Sequence, residues 1–334
     1  MAQKTLLKKK VIKGAVWLGG GLIAISIVGV AGAAIYQAVV SSSEKSKLTA
    51  PGKIVTVGDT SLYVHCTGSE DRPTIVLENG MGLVAENWSW VQKQLSAKYR
   101  VCSYDRAGTG FSPSADGAVD AEKSADQLAK LLDVLGSKEP VLLAGHSYGA
   151  LIGRVFAQKY PNRIAALVMV DSSHEDMGER FPPQAKKGFD KMLNGFGILK
   201  KLNRVAGARI MGVADKFAAG LEGDTYKRAY HLYATPQHMA GADREAKGWN
   251  ISGTAARKVA KEGLGDLPVT VLMVDNWPEF MMPSWTKMQS ELAQLSTDTR
   301  FETVHGPDHF QVLGTQKYAM QVAKEIDRLA QRVF

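Results

Sequence analysis

The tightest constraint on this chain is the stretch 141–161, in which four apolar residues, Val141, Leu142, Leu143 and Ala144, run into Gly145-His146-Ser147-Tyr148-Gly149. The apolar run reads as a buried strand. The residues that follow carry helical periodicity at Leu151, Ile152, Val155 and Phe156, with Tyr160-Pro161 as the stop. A strand turning sharply into a helix at a serine leaves no room for side chains two residues on either side, which is why both positions are glycine. Such a turn is strained, and it holds the hydroxyl out at a helix N-terminus, where free backbone N–H groups favour developing negative charge. Ser147 is therefore the candidate nucleophile.

Around this turn, strand and helix patterns alternate. Residues 54–57 and 62–66 read as a hairpin turned at Gly58-Asp59, and 74–77, 100–104, 164–170, 269–274 and 301–304 as further strands. Helical periodicity is expected around 88–95, 119–135, 285–295 and 316–333. The alternation implies a mostly parallel sheet covered on both faces. It lapses between residues 175 and 248, which are rich in Lys, Arg, Met and Phe, with helical runs at 189–202 and 218–233.

The net charge of +8 suggests nucleic acid until its distribution is considered. Residues 1–50 hold seven Lys and one Glu, a net of +6, which leaves the rest nearly balanced. Those lysines flank residues 15–40, which carry no charge. As a helix this segment would be ~39 Å long, enough to cross a ~30 Å hydrocarbon core. With Lys4, Lys8, Lys9, Lys10 and Lys13 before it, the heavier positive flank belongs on the cytoplasmic side. Residues 1–14 are thus expected as a basic cytoplasmic tail, 15–40 as a transmembrane signal anchor and 41–53 as a linker, with the rest extracytoplasmic. The competing reading is a cleaved signal peptide with Ala31-x-Ala33 as its site, although the apolar run is longer than a usual signal core.

Four motifs, in order, give the chain its resemblance to the α/β-hydrolase family: the Gly80 loop, Tyr104-Asp-Arg-Ala-Gly-Thr-Gly-Phe-Ser112, Gly145-x-Ser147-x-Gly149, and Asp308-His309-Phe310 near the end. It is similar to bacterial serine esterase-like members. The resemblance implies an eight-stranded, mostly parallel sheet with helices on both faces, a core of 54–174 and 249–334, and a helical cap, 175–248, inserted after the sixth strand. It implies His309 as general base, with His305 as the competitor nearer the strand. It implies an oxyanion hole from the N–H groups of Met81 and Tyr148. Many relatives have His-Gly where this chain has Asn79-Gly80.

The triad acid is where the chain departs from the pattern. Most relatives carry it about nine residues beyond the Pro that opens the penultimate strand; counted from Pro268 that position is Trp277, with Asp275 two residues early. Some relatives place the acid one strand earlier, which here is Asp171, leaving Asp275 as the alternative. Asp105-Arg106 is expected as a buried structural pair, and His146 as a structural neighbour of the serine. Phe181, Phe189, Met192, Phe196, Met211 and Met239 are candidates for either cap core or pocket wall.

The implied activity is hydrolysis of carboxylic esters through an acyl-enzyme, on a small-molecule or lipid-like substrate, without cofactor or metal. Serine at the elbow argues against dehalogenase and epoxide-hydrolase chemistry, for which relatives use Asp. Thioesterase, lactonase and peptidase chemistry stay open, as does a non-catalytic binding or scaffold role at the cell surface. Cys66 and Cys102 lack metal-site spacing. The family fold makes their strands neighbours, so a disulfide and two buried thiols are equal expectations.

Overall fold

A computed structural model describes residues 2–117 and 119–334, with side-chain surroundings given for few residues before Ile25. One sheet of eight strands organises the molecule: β1 (Lys53–Val57), β2 (Thr60–Thr67), β3 (Thr74–Glu78), β4 (Arg100–Asp105), β5 (Val141–His146), β6 (Ile164–Val170), β7 (Val269–Val274) and β8 (Thr299–Val304). Their spatial order is β1-β2-β4-β3-β5-β6-β7-β8. The β1–β2 and β2–β4 pairs are antiparallel and all the others parallel. Every residue of β3, β4, β5 and β7 is buried, as continuous apolar strands covered on two faces require.

The helices, in chain order, are α1 (Ala2–Lys47), α2 (Ser89–Leu95), α3 (Ala121–Val134), α4 (Tyr148–Lys159), α5 (Met177–Arg180), α6 (Pro183–Leu202), α7 (Gly207–Ile210), α8 (Val213–Phe217), α9 (Gly223–Tyr233), α10 (Pro236–Lys247), α11 (Trp249–Glu262), α12 (Met282–Ala293), α13 (Gln311–Gly314) and α14 (Gln316–Val333). α3, α4, α11 and α12 cover one face of the sheet through Leu128, Ile152, Val259 and Trp285. α2 and α14 cover the other through Val91, Leu95, Val322 and Ile326. A third apolar cluster, with Phe196, Leu232, Tyr233 and Met239, belongs to the helices between β6 and α11.

The structure bears on three local expectations. Of the run 218–233 only Gly223–Tyr233, α9, is helical; ahead of it the chain turns, with Gly220 and Gly223 at positive φ. Gly220 lies so close to Gly314 and Thr315 that a Cβ there would sit 2.5 Å from Thr315 Oγ1. The stretch expected as a linker is helical through Lys47, because Glu44 is held by Arg209 and His231. The cysteines are joined: Cys66 and Cys102 face each other across the β2–β4 pair and form a disulfide, with Cα atoms 4.0 Å apart.

α1 is one continuous helix, and its Ile25–Lys47 portion is long and apolar enough by composition to cross a membrane. Residues 25–32 are exposed, and contact with the rest of the protein begins at Ala33.

Candidate active site

Both glycines of the turn are required by close approach. A Cβ on Gly145 would lie 2.6 Å from the backbone of Ala150, and one on Gly149 would lie 2.4 Å from Glu78 O. The chain therefore passes from β5 into α4 with Ser147 at φ 53°, ψ −119°. Asp171 stands at φ 43° one residue beyond β6, the strand next to β5. With Ala206 these are the non-glycine residues of positive φ among those described, so two of the three strained positions sit side by side at the C-terminal ends of two neighbouring interior strands. Strain survives where neighbouring structure over-determines it. Here Ser147 N donates to Val170 O at 3.0 Å and Asp171 N to Leu272 O at 2.6 Å.

Asp171 is fully buried, and its carboxylate is surrounded by donors. Oδ2 accepts from His309 Nδ1 at 2.6 Å and from Trp277 Nε1 at 3.3 Å. Oδ1 accepts from Val274 N at 3.1 Å and Trp285 Nε1 at 3.0 Å. Four hydrogen bonds compensate a buried charge. Trp277, at the position expected for the acid from the family pattern, donates to the Asp171 carboxylate instead. Asp275 is turned elsewhere, bonding His305 Nδ1 at 2.6 Å and Gly306 N at 2.8 Å in an exposed pair. The backbone amide and His305 hold its carboxyl below the usual range.

His309 lies in the loop after β8, 17% exposed. His146, beside the serine, donates from Nε2 to His309 O at 2.9 Å and packs its ring 4.5 Å from the His309 ring. Burial holds the His146 imidazole well below its ordinary pKa, so it meets His309 uncharged. Ser147 Oγ is 3.3 Å from Ser173 Oγ, and Ser147 and His309 line one cavity.

The Gly80 loop lies against the same turn. The backbone N–H groups of Met81 and Tyr148 find no acceptor among the described residues. The loop is clamped by Arg106, which donates to Asn79 O at 2.6 Å, Gly80 O at 2.9 Å, Glu78 Oε1 at 2.6 Å and Glu245 Oε1 at 2.7 Å. Glu245, on α10, also accepts from Gly82 N at 3.0 Å. Asp105 and Arg106 thus brace the site without pairing with each other. Asp105 instead accepts from Ala85 N at 2.7 Å and Phe111 N at 2.8 Å, and burial lifts its carboxyl to about 7. His238, also from α10, accepts from Gly110 N at 2.9 Å and donates to Gly82 O at 3.0 Å, and burial lowers its pKa to about 4.

The cavity beside Ser147 measures about 490 Å³ and is walled chiefly by apolar side chains. Phe181, Phe189, Met192 and Phe196 line it. Of the other candidates, Met239 is buried inside the cap cluster and Met211 is exposed on the surface. Among the described residues no group of His, Cys, Asp and Glu has the arrangement of a metal site. Ser173, Trp277, Trp285, Glu245 and His238 were not expected here. Each acts through tertiary contact and lacks a local sequence signal; Trp277 alone was marked, as the wrong residue at the acid position.

A profile of the alpha/beta hydrolase fold matches residues 73–206. Over 160 residues the chain is 30% identical to the pimeloyl-[acyl-carrier protein] methyl ester esterase of Sodalis glossinidius, a match covering 46% of this chain and 58% of that one. The curated relatives it matches are spanned for between 20% and 58% of their length. Among solved structures, a thermophilic esterase from Thermogutta terrifontis superposes with a TM-score of 0.63 at 21% identity, covering 85% of this chain and 99% of that one. The enol-lactonase of Burkholderia xenovorans LB400 gives a TM-score of 0.61 at 19% identity, with 84% and 100% covered. At these identities the structural matches speak to fold.

Proposed function

Because this chain is a member of the α/β-hydrolase family, we propose that it is a serine hydrolase cleaving carboxylic esters through an acyl-enzyme. The observation that carries the reading is the Asp171–His309 hydrogen bond in the cavity that Ser147 also lines. In this mechanism His309 Nε2 takes the Ser147 proton as Oγ attacks the ester carbonyl. The Met81 and Tyr148 N–H groups receive the oxyanion, and donors of this kind are each worth roughly 3 kcal/mol of barrier. His309 passes its proton to the departing alcohol, then activates water to release the acid and restore Ser147. Asp171 keeps the imidazole in the tautomer that presents Nε2 and stabilises its charged form.

The similar proteins named above include two esterases and an enol-lactonase, which agrees with an ester bond as target. The apolar cavity favours an uncharged, hydrophobic acyl or alcohol part. α1 would anchor the protein in a membrane with its basic N-terminal tail cytoplasmic. The Cys66–Cys102 disulfide agrees with a catalytic domain on the oxidising side.

A fluorophosphonate probe tests the reading. We expect covalent labelling of the native chain, its loss in Ser147→Ala, and turnover in a screen of esters of graded acyl length. No labelling of the native chain would favour the non-catalytic binding role.

A further inference from the structure

α1 joins the folded domain without a flexible tether. Gln37 Nε2 donates to Ala234 O at 2.9 Å, and Arg209 Nε donates to Gln37 Oε1 at 3.1 Å. Arg209 Nη1 and His231 Nδ1 bind Glu44 at 2.9 and 2.7 Å. The uncharged stretch of the sequence ahead of Ala33, where α1 meets the domain, runs from residue 15 to residue 32, about 27 Å as helix. That is close to the ~30 Å of a hydrocarbon core. A helix that has just crossed a bilayer therefore meets α7 and α9 at the membrane surface, and an ion-paired contact holds them there.

The face presented at that level is built from α6, α7 and the turn between them. It exposes Ile198, Ile210 and Met211, at 58%, 74% and 61%. Single exposed apolar residues are ordinary, but Ile210 and Met211 directly follow the Arg209 that grips α1. Along α6 and just beyond its end, Lys186, Lys187, Lys191, Lys201 and Arg204 are exposed, with no carboxylate partner among the described residues. Asp190 is the lone acid along α6. Apolar tips within a basic field match the chemistry of an anionic lipid surface. The lining of the catalytic cavity includes Met192 and Leu199 of α6, an element of this face, and Val213 and Lys216 of α8, the helix directly after α7.

We propose that this cap face seats on an anionic bilayer, with Ile198, Ile210 and Met211 in its outer interface, so that the cavity takes its substrate, a lipid-soluble ester, directly from the lipid phase. The substrate part rests on the esterase reading; the seating does not.

The test uses the full chain in phosphatidylcholine vesicles with and without phosphatidylglycerol. Both native cysteines are in the disulfide, so a polarity-sensitive dye attaches selectively to Ile198→Cys, Met211→Cys or, as a distant control before β5, Lys138→Cys. Dyes at 198 and 211 should be quenched by acyl-chain nitroxide lipids and shielded from a water-soluble quencher, more so with phosphatidylglycerol; the dye at 138 should behave oppositely. Water quenching at 211 equal to that at 138 would overturn the seating, and equal shielding in both vesicles would overturn the anionic preference. The double variant Ile210→Glu, Met211→Glu should lose about tenfold or more turnover on a long-chain ester embedded in the vesicles, while a short soluble ester is cleaved as by the native chain. Equal handling of both esters by variant and native chain overturns lipid-phase uptake. A native chain whose dyes report lipid contact but which cleaves neither ester refutes the esterase reading and leaves the seating standing.

Discussion

Asp171 reaches His309 from the end of the strand beside the one that carries Ser147, and four donors converge on its carboxylate. Its amide analogue would keep the packing but could not stabilise an imidazolium or hold the same tautomer. Asp171→Asn is expected to lower turnover by about a thousandfold or more with little change in fold. Asp275→Asn, which disturbs an exposed pair with His305, is expected to retain most activity. Steady-state kinetics on one ester checks both, and the reverse ranking would move the acid to Asp275. His238 tests the site's electrostatics. Its folded pKa of about 4 lies below the ordinary imidazole value, so between about 6.5 and 4 the unfolded chain binds the extra proton. The stability it contributes is complete above about pH 6.5 and is lost as pH falls through 4. Denaturant melts across that window should slope downward on acidification in the native chain and less steeply in His238→Gln.

At the scale of elements, the site is held by contacts between segments distant in sequence. Arg106, after β4, ties the Gly80 loop after β3 to Glu245 on α10. The loop that carries Met81, a proposed oxyanion donor, is thereby fixed to α10 as well as to the sheet. The disulfide makes a similar tie further back, between β2 and β4 across 36 residues. Cross-linking a loop of that size removes conformational freedom from the unfolded chain, so Cys66→Ser with Cys102→Ser should cost about 3 kcal/mol. The folded double variant should keep its activity, since both residues lie in strands and not among the cavity lining. Equilibrium unfolding, with and without reductant, measures the cost.

For the molecule as a whole, the helix that would enter the membrane is also part of the globular fold. Removing it at the expected linker would strip Glu44 from Arg209, whose side chain is only 6% exposed. A chain starting at Val30 should stay folded, whereas one starting at Lys53 should lose on the order of 2 kcal/mol, read by urea denaturation, because a mostly buried guanidinium is left without its carboxylate. External protease acting on intact cells should accordingly reach the domain, while residues 15–32 stay shielded in the bilayer. Full protection of the domain would reverse the proposed orientation.

Resemblance to the α/β-hydrolase family implied His309, whereas the parallel sheet, the Ser147 turn and the amphipathic terminal helix were readable along the chain itself. Each is encoded by spacing within a dozen residues or so: an apolar run, two glycines around a serine, a 3.6-residue repeat. Asp171 could be named from its place at a strand end, but its advantage over Asp275 depends on which loop each strand hands to its neighbour, and the indole donors of Trp277 and Trp285 come from more than 100 residues away. The Arg106–Glu245 clamp and the grip of Glu44 on Arg209 and His231 join residues separated by 139, 165 and 187 positions. A charge in a sequence shows that a partner is needed when it is buried, not which one, since burial and pairing are decided together only when the chain has folded. Local periodicity therefore determined the scaffold and the turn that presents Ser147, while tertiary packing decided which carboxylate meets His309, the bracing of the Gly80 loop and the seat of the first helix on the helices between β6 and α11.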